Sequence, residues 1–186
     1  VNSYMQKLSN QLMLLDSKTE VSIANSLWHN KRYNILESFI SSMKTSYNAD
    51  VFQLGTNAED EINDWCSDKT HGYINDLLPQ GSITPSTAAV LLNALYFKGE
   101  WADKFDKKDT ERGFFYSIDN SLPTVYYMTG RKKIEYVTAE TFTMASLSFG
   151  NGAYAARFLL PNKDKTFDDC ITEIKSELAE NSYYDS

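Results

Sequence analysis

The residues able to do metal or acid–base chemistry are few. Thiol and imidazole groups are limited to His29, Cys66, His71 and Cys170. Cys66 and His71 stand five apart, so they do not stack on one helical face as neighbours three or four apart would. The chain holds neither Cys-x-x-Cys nor His-x-x-x-His, and zinc sites are recognised by such spacing. These residues therefore read as a buried helix thiol and a polar helix end, and no metal or cofactor is expected. Serine is abundant, but the Gly-x-Ser-x-Gly elbow is absent and neither histidine sits in a catalytic motif. The acidic run Ala58-Glu59-Asp60-Glu61 suits the first turn of a helix, where the dipole favours negative charge. Gly150-Asn151-Gly152 joins two strand-like stretches and precedes no helix, so it reads as a turn and not a phosphate loop. Arg131-Lys132-Lys133 reads as a solvated turn, since three charges are little for a polyanion site. Asn93 differs, because it is one amide inside the apolar run Ala88 to Phe97. Such a group needs hydrogen-bond partners. It reads first as a structural amide tying strands together and second as a polar latch where strands must separate.

The elements that must position these residues lie within 186 residues, of which 42% are apolar, enough for a packed core. The net charge of −7 disfavours general nucleic-acid binding. No apolar run reaches the length of a membrane span, and no membrane partner is expected. Two cysteines are too few for a disulfide framework. No Asn-x-Ser/Thr acceptor occurs. The first residue is Val1 rather than Met, which reads as a processed or cut N-terminus.

Val1, Met5, Leu8, Leu12 and Leu15 form a helical stripe. Val21 to Leu27 alternates as a strand does. Asn34 with Glu37 resembles a capping box for a helix bearing Ile35, Phe39, Met43 and Tyr47. Asp50 to Leu54 reads as a strand. Asn57 is expected to cap a helix with Ala58, Ile62, Trp65 and Cys66 on its apolar face, and Gly72 to stop it. Ala88 to Phe97 fits either a helix or a fully buried strand. Short strands follow at Gly113 to Tyr116, Thr124 to Met128 and Ile134 to Val137. Thr141 to Phe149 changes phase near Ala145, predicting a bulge or a bend. A hairpin turn leads into Tyr154 to Leu160. Thr166 caps a last helix with Phe167, Cys170, Ile171, Ile174 and Leu178 on one side, and Asn181 to Ser186 shows no pattern. The order predicts a mixed α+β fold with hairpins, not a purely doubly wound sheet.

The stretch Leu91-Leu92-Asn93-Ala94-Leu95-Tyr96-Phe97-Lys98-Gly99-Glu100-Trp101, with Phe105, Thr110 and Phe114 or Phe115, closely resembles the serpin hallmark. Ile62-Asn63-Asp64-Trp65, Thr70 and Ile74-Asn75-Asp76-Leu77-Leu78-Pro79 resemble the family's helix F and its exit. Ile23-Ala24-Asn25-Ser26-Leu27-Trp28 and Tyr47-Asn48-Ala49-Asp50-Val51 resemble the segments flanking helix E. The resemblance implies that Val51 to Leu54, Val21 to Trp28 and Ala88 to Phe97 are strands 1, 2 and 3 of sheet A. Residues 58 to 71 would be helix F across that sheet. Residues 113 to 128 would join sheet C, and 134 to 160 would give three strands of sheet B. It places Asn93 in the shutter, where sheet A opens, and Trp101 near the breach, with Gly99, Phe105 and Thr110 as structural hallmark positions. Asn63, Trp65 and Thr70 belong to helix F, which must let the sheet open.

The activity implied is protease inhibition by a covalent trap, in which a cleaved reactive loop inserts into sheet A. The chain itself is then not an enzyme, and its parent's partner is a serine (or cysteine) protease. Residues 1 to 186 correspond to a partial domain, from about helix D to helix G or H. The reactive loop has no counterpart, and Tyr126-Tyr127-Met128 replaces the usual Val-Pro-Met-Met. This chain alone is therefore expected to be non-inhibitory, and its open sheet edges to favour homo-oligomers or strand swapping. A stand-alone serpin-like binding module is the alternative; an enzyme on an unrelated fold ranks last. Extracellular or cell-surface placement follows from the family alone, with intracellular members also known.

Overall fold

A computed structural model describes residues 2–182, with side chains described for 4–176. Val1, the side chain of Leu178 and residues 183–186, each covered by the expectations above, lie outside the described residues. The chain divides into two compact units, residues 1–99 and 100–186.

The first unit runs α1 (Asn2–Leu14), β1 (Thr19–His29), α2 (Glu37–Tyr47), β2 (Ala49–Gln53), α3 (Ala58–Lys69) and β3 (Ala89–Gly99). Its three strands are ordered β2-β1-β3. β1 pairs with β2 in parallel and with β3 antiparallel, so Asn25 faces Asn93. The ambiguous run is thus a strand. It is not buried on both faces: Ala94 and Tyr96 are buried, whereas Leu91 is 60% and Leu95 63% exposed. The buried side carries the core. Trp28 of β1, Ala94 of β3 and Ile62, Trp65 and Cys66 of α3 form one cluster, flanked by Ala24, Val90 and Leu92. These strand residues alternate along β1 and β3 and share one face of the sheet, which α3 covers with its four-residue apolar repeat.

One cap expectation fails and a second holds in position only. Asn34 lies outside α2, whose N-cap is Leu36 with no side-chain cap bond. Asn57 does stand at the N-cap of α3, but its side chain makes no cap bond either. The first turn of α3 instead carries Glu59, Asp60 and Glu61, which complement the helix dipole. At the other end Gly72 has a positive φ of 80°, as expected, but His71 has entered the left-handed region before it, at 52°.

The second unit contains η1 (Lys107–Asp109), the hairpin β4 (Thr110–Phe114) and β5 (Thr124–Met128), the sheet β6 (Glu135–Thr138), β7 (Phe142–Phe149) and β8 (Tyr154–Pro161), and α4 (Phe167–Ser182). The charged stretch Ala102 to Arg112 therefore includes a short helical turn and the start of a strand. The turn at Gly150-Asn151-Gly152 has φ of 48° at Gly150 and 92° at Gly152. No bulge occurs at Ala145, because the β7–β8 register is unbroken from Phe142 against Pro161 to Phe149 against Tyr154. Residues 143–147 are all half-buried, so the apolar side chains change face without an inserted residue. Thr166 caps α4 reciprocally: Asp169 N–H donates to Thr166 Oγ1 at 3.2 Å and Thr166 N–H to the Asp169 carboxylate at 2.7 Å. The helix continues to Ser182, two residues into the stretch expected to lack pattern.

Ile62 is fully buried and Leu95 is not. In the full natural chain, Ile62→Ala is expected to cost about 3 kcal/mol and Leu95→Ala well under about 1 kcal/mol, measured by urea unfolding. Equal costs would contradict the assignment of the core to the α3 face.

Candidate functional site: a helix fastened across a three-stranded sheet

Helix α3 is tied to its surroundings by polar bonds around an apolar centre. Asn63 grips the backbone of one residue: its Nδ2 donates to Leu78 O and its Oδ1 accepts from Leu78 N–H, each at 2.9 Å. Thr70 is buried; its hydroxyl donates to Cys66 O at 2.6 Å and accepts from Ile74 N–H at 3.0 Å. Both residues thus anchor the chain leaving the helix. Trp65 reaches the other way, donating from Nε1 to the Asp50 carboxylate of β2 at 2.9 Å. Lys69 Nζ lies 3.6 Å from the same carboxylate.

Glu59, one charge of the acidic first turn of α3, has specific partners. It is buried, and one carboxylate oxygen accepts from Ile83 N–H at 2.9 Å and Gly81 N–H at 3.1 Å. The Ile83 amide, followed by its own and that of Gly81, holds its carboxyl below the usual value against the cost of burial. The sequence signal was its place in the first turn; its partners lie more than twenty residues on. The burial of Cys66 pushes its thiol up, which removes thiolate reactivity at neutral pH. Among the described residues, no cluster of His, Cys, Asp and Glu could hold a metal ion.

Asn93 lies on the exposed face of β3. Its Nδ2 donates to Asn25 Oδ1 at 2.9 Å, and Asn25 Nδ2 donates to Tyr47 O at 2.8 Å. This amide relay runs from β3 across β1 to the end of α2. Asn25 is the hydrogen-bond partner of Asn93 that sequence reasoning missed, since only the strand register reveals it. Gly99 closes β3 opposite Thr19.

Trp101, Phe105 and Thr110 belong to the second unit. The structure brings Trp101 and Phe105 together, edge to face at 6.2 Å, and stacks Trp101 on Phe149 at 4.4 Å. Ala102 N–H donates to Ser148 O and Gly150 N–H to Glu100 O, both at 2.8 Å, so residues 100–102 run beside the end of β7. Thr110 opens β4 opposite Met128. Lys132 is not the solvated turn residue expected. Its ammonium pairs with Asp103 at 2.7 Å and lies 4.9 Å from the Phe105 ring centre.

With this geometry in view, the similarities to known proteins are specific. The family described as "Serpin (serine protease inhibitor)" matches residues 1–183. Serpin-ZX of Arabidopsis thaliana is 32% identical over 167 residues, covering 84% of this chain and 42% of that protein. Leukocyte elastase inhibitor of Xenopus laevis is 36% identical over 190 residues, covering 96% and 50%. The solved structure of Arabidopsis AtSerpin1 in its native stressed conformation superposes with a TM-score of 0.78 at 29% identity, covering 93% of this chain and 47% of that one. The chain spans about half the length of the curated relatives it matches.

The Glu59 contacts predict an acid dependence. A carboxyl held below its ordinary value stabilises the fold above that value, and the contribution is lost as pH falls through the folded-state value. Glu59→Gln is expected to be less stable than the natural protein near pH 7 and to narrow that gap toward pH 3, read from unfolding midpoints. A gap independent of pH would contradict the role of the carboxylate. Asn63→Ala is expected to cost about 1–3 kcal/mol in urea unfolding, because it leaves the Leu78 N–H and C=O without this partner.

These matches, the α+β architecture and the helix lying on a three-stranded sheet agree: the chain belongs to the serpin family.

Proposed function

We propose that this chain is the central scaffold of a protease inhibitor, spanning about helix D to helix G or H of the family's fold. In this reading β2, β1 and β3 are the first three strands of sheet A, and α3 is helix F. The parent protein presents a reactive loop from outside these 186 residues. A target protease's serine (or cysteine) attacks the scissile carbonyl, the leaving amine departs, and an acyl-enzyme remains. The cleaved loop then inserts as a new strand and carries the acyl-enzyme with it.

One observation carries this reading. β3 sits at the edge of its sheet among the described residues, with Asn93, Leu91 and Leu95 on an exposed face and α3 covering the other. That is the arrangement an inserting strand requires: a free edge to pair with and a helix whose fastenings can yield. Asn93 is assigned to the shutter by family resemblance, and its bond to Asn25 across β1 is compatible with that place. By the same resemblance Trp101 is assigned near the breach, with Gly99, Phe105 and Thr110 as structural hallmark positions of the shutter and breach. Asn63, Trp65 and Thr70 set how firmly α3 is held. The parent is placed outside the cell or at its surface on family grounds.

The edges of β3 and β8 also favour pairing with a second copy. A loop C-sheet serpin polymer shares this fold, with a TM-score of 0.75 at 23% identity.

Two outcomes test the reading. The full natural chain, mixed with serine proteases of differing specificity, is expected to give an SDS-resistant covalent complex with at least one of them, seen as a mass shift on a gel. The 186-residue chain alone is expected to give none and to sediment as oligomers. A covalent complex from the short chain alone would overturn the proposal.

A further inference from the structure

We propose that the crevice where β1 and β2 end is a binding site for a small phosphate monoester, an anionic head on a compact apolar body. The topology makes the crevice. β1 and β2 are adjacent and parallel, so both finish at the same end of the sheet. Their exits then part. The chain leaving β1 turns to α2, whose last carbonyl, that of Tyr47, meets Asn25 on one face. The chain leaving β2 turns to α3, which covers the opposite face over Trp28 and Ala94. Adjacent parallel strands whose exits take opposite faces leave a gap between the two loops, and open sheets of parallel strands bind their ligands in such gaps. Here the gap is a cleft of about 380 Å³, lined by residues 30–32 after β1, 54–56 after β2 and 83–85 before β3. That volume suits a small ligand.

The walls are held by the protein's own bonds. Asn30 N–H donates to Ala88 O at 2.9 Å, and Asn30 Nδ2 to Thr87 O at 3.2 Å. Leu54 N–H donates to His29 O at 2.8 Å, and Glu59 holds the Ile83 amide. Three segments far apart in sequence thus form one preformed hollow. Its chemistry is uneven. Lys31 and Arg32 bring two positive charges to the β1 wall, in a chain whose net charge is −7. Among the described residues neither makes an ion pair. Thr56 adds a hydroxyl on the β2 wall, and Leu54 and Ile83 add half-buried apolar surface. On the α3 side the Glu61 carboxylate stands 3.6 Å from where a Cβ on Gly55 would lie, which directs an anion to the Lys31–Arg32 wall. A guanidinium beside an ammonium matches the two charges and several acceptor oxygens of a phosphate better than one carboxylate. This inference does not rest on the inhibitory reading, because the cleft belongs to the resting fold.

The test is a ligand-observed NMR titration of phenyl phosphate with the full natural chain at low ionic strength. A dissociation constant of about 1 mM is expected for so small a ligand in an open cleft. Arg32→Gln is expected to weaken binding about tenfold and Lys31→Gln about threefold. Both residues are exposed, so the fold persists in either variant. Lys44→Gln, which removes a charge from the last turn of α2 outside the cleft, is expected to leave binding unchanged. Benzyl alcohol, which lacks the phosphate, is expected not to bind. No binding of phenyl phosphate by the natural protein, an equal loss from Lys44→Gln and Arg32→Gln, or benzyl alcohol binding as tightly as phenyl phosphate overturns the site.

Discussion

The placing of α3 in the first unit depends on one apolar contact, that of the helix against the strands beneath it. Ile62, Trp65 and Cys66 meet Trp28 and Ala94 in a single buried cluster. Apolar burial supplies most of the driving force for such a contact, and it is not directional. It therefore holds the helix on the sheet without fixing one position along it. The polar bonds at its rim do that. Glu59 fixes the N-terminal turn, Asn63 and Thr70 fix the exit chain, and Trp65 reaches β2. Each is a small contribution, and each breaks at a defined geometry. A helix attached in this way can slide or lift after losing a few directional bonds while its apolar face stays near the sheet.

The sheet shows the matching asymmetry. β1 is central and paired on both sides. β3 is paired on one side only among the described residues, and alternate residues of its outer face stand exposed. An exposed strand of this length is an aggregation hazard unless something covers it. In the proposed inhibitor the hazard and the function are the same feature, since the edge that invites another strand is the edge a cleaved loop would use. Asn93 and Asn25 lie beside that edge. Their amide relay gives β3 a polar attachment to β1 that apolar side chains at the same positions would not supply.

Much of this was legible in the residues. The four-residue spacing through Ala58, Ile62 and Cys66 marked α3 and its buried face, and Gly150-Asn151-Gly152 marked a hairpin. The run Ala88 to Phe97 was not decidable by propensity, because alanine and leucine favour helices while a covered strand needs the same residues; the serpin resemblance resolved it. Asn34 failed as a cap because the helix begins at Glu37, too late for that side chain to reach the first free amides. Ala145 failed as a bulge because half-burial on both faces mimics a change of phase. Partnerships across long separations were invisible altogether. Asn25 with Asn93 and Glu59 with Ile83 depend on register and docking, which a single sequence does not display.

The central claim is that α3 must loosen for the sheet to open. Pulsed hydrogen exchange during the reaction of the full natural chain with a serine protease it traps addresses this directly. The account predicts that amides of residues 58–70 lose protection transiently, before the covalent complex reaches its final form, and regain it afterwards. Formation of that complex with α3 fully protected at every time point would contradict it.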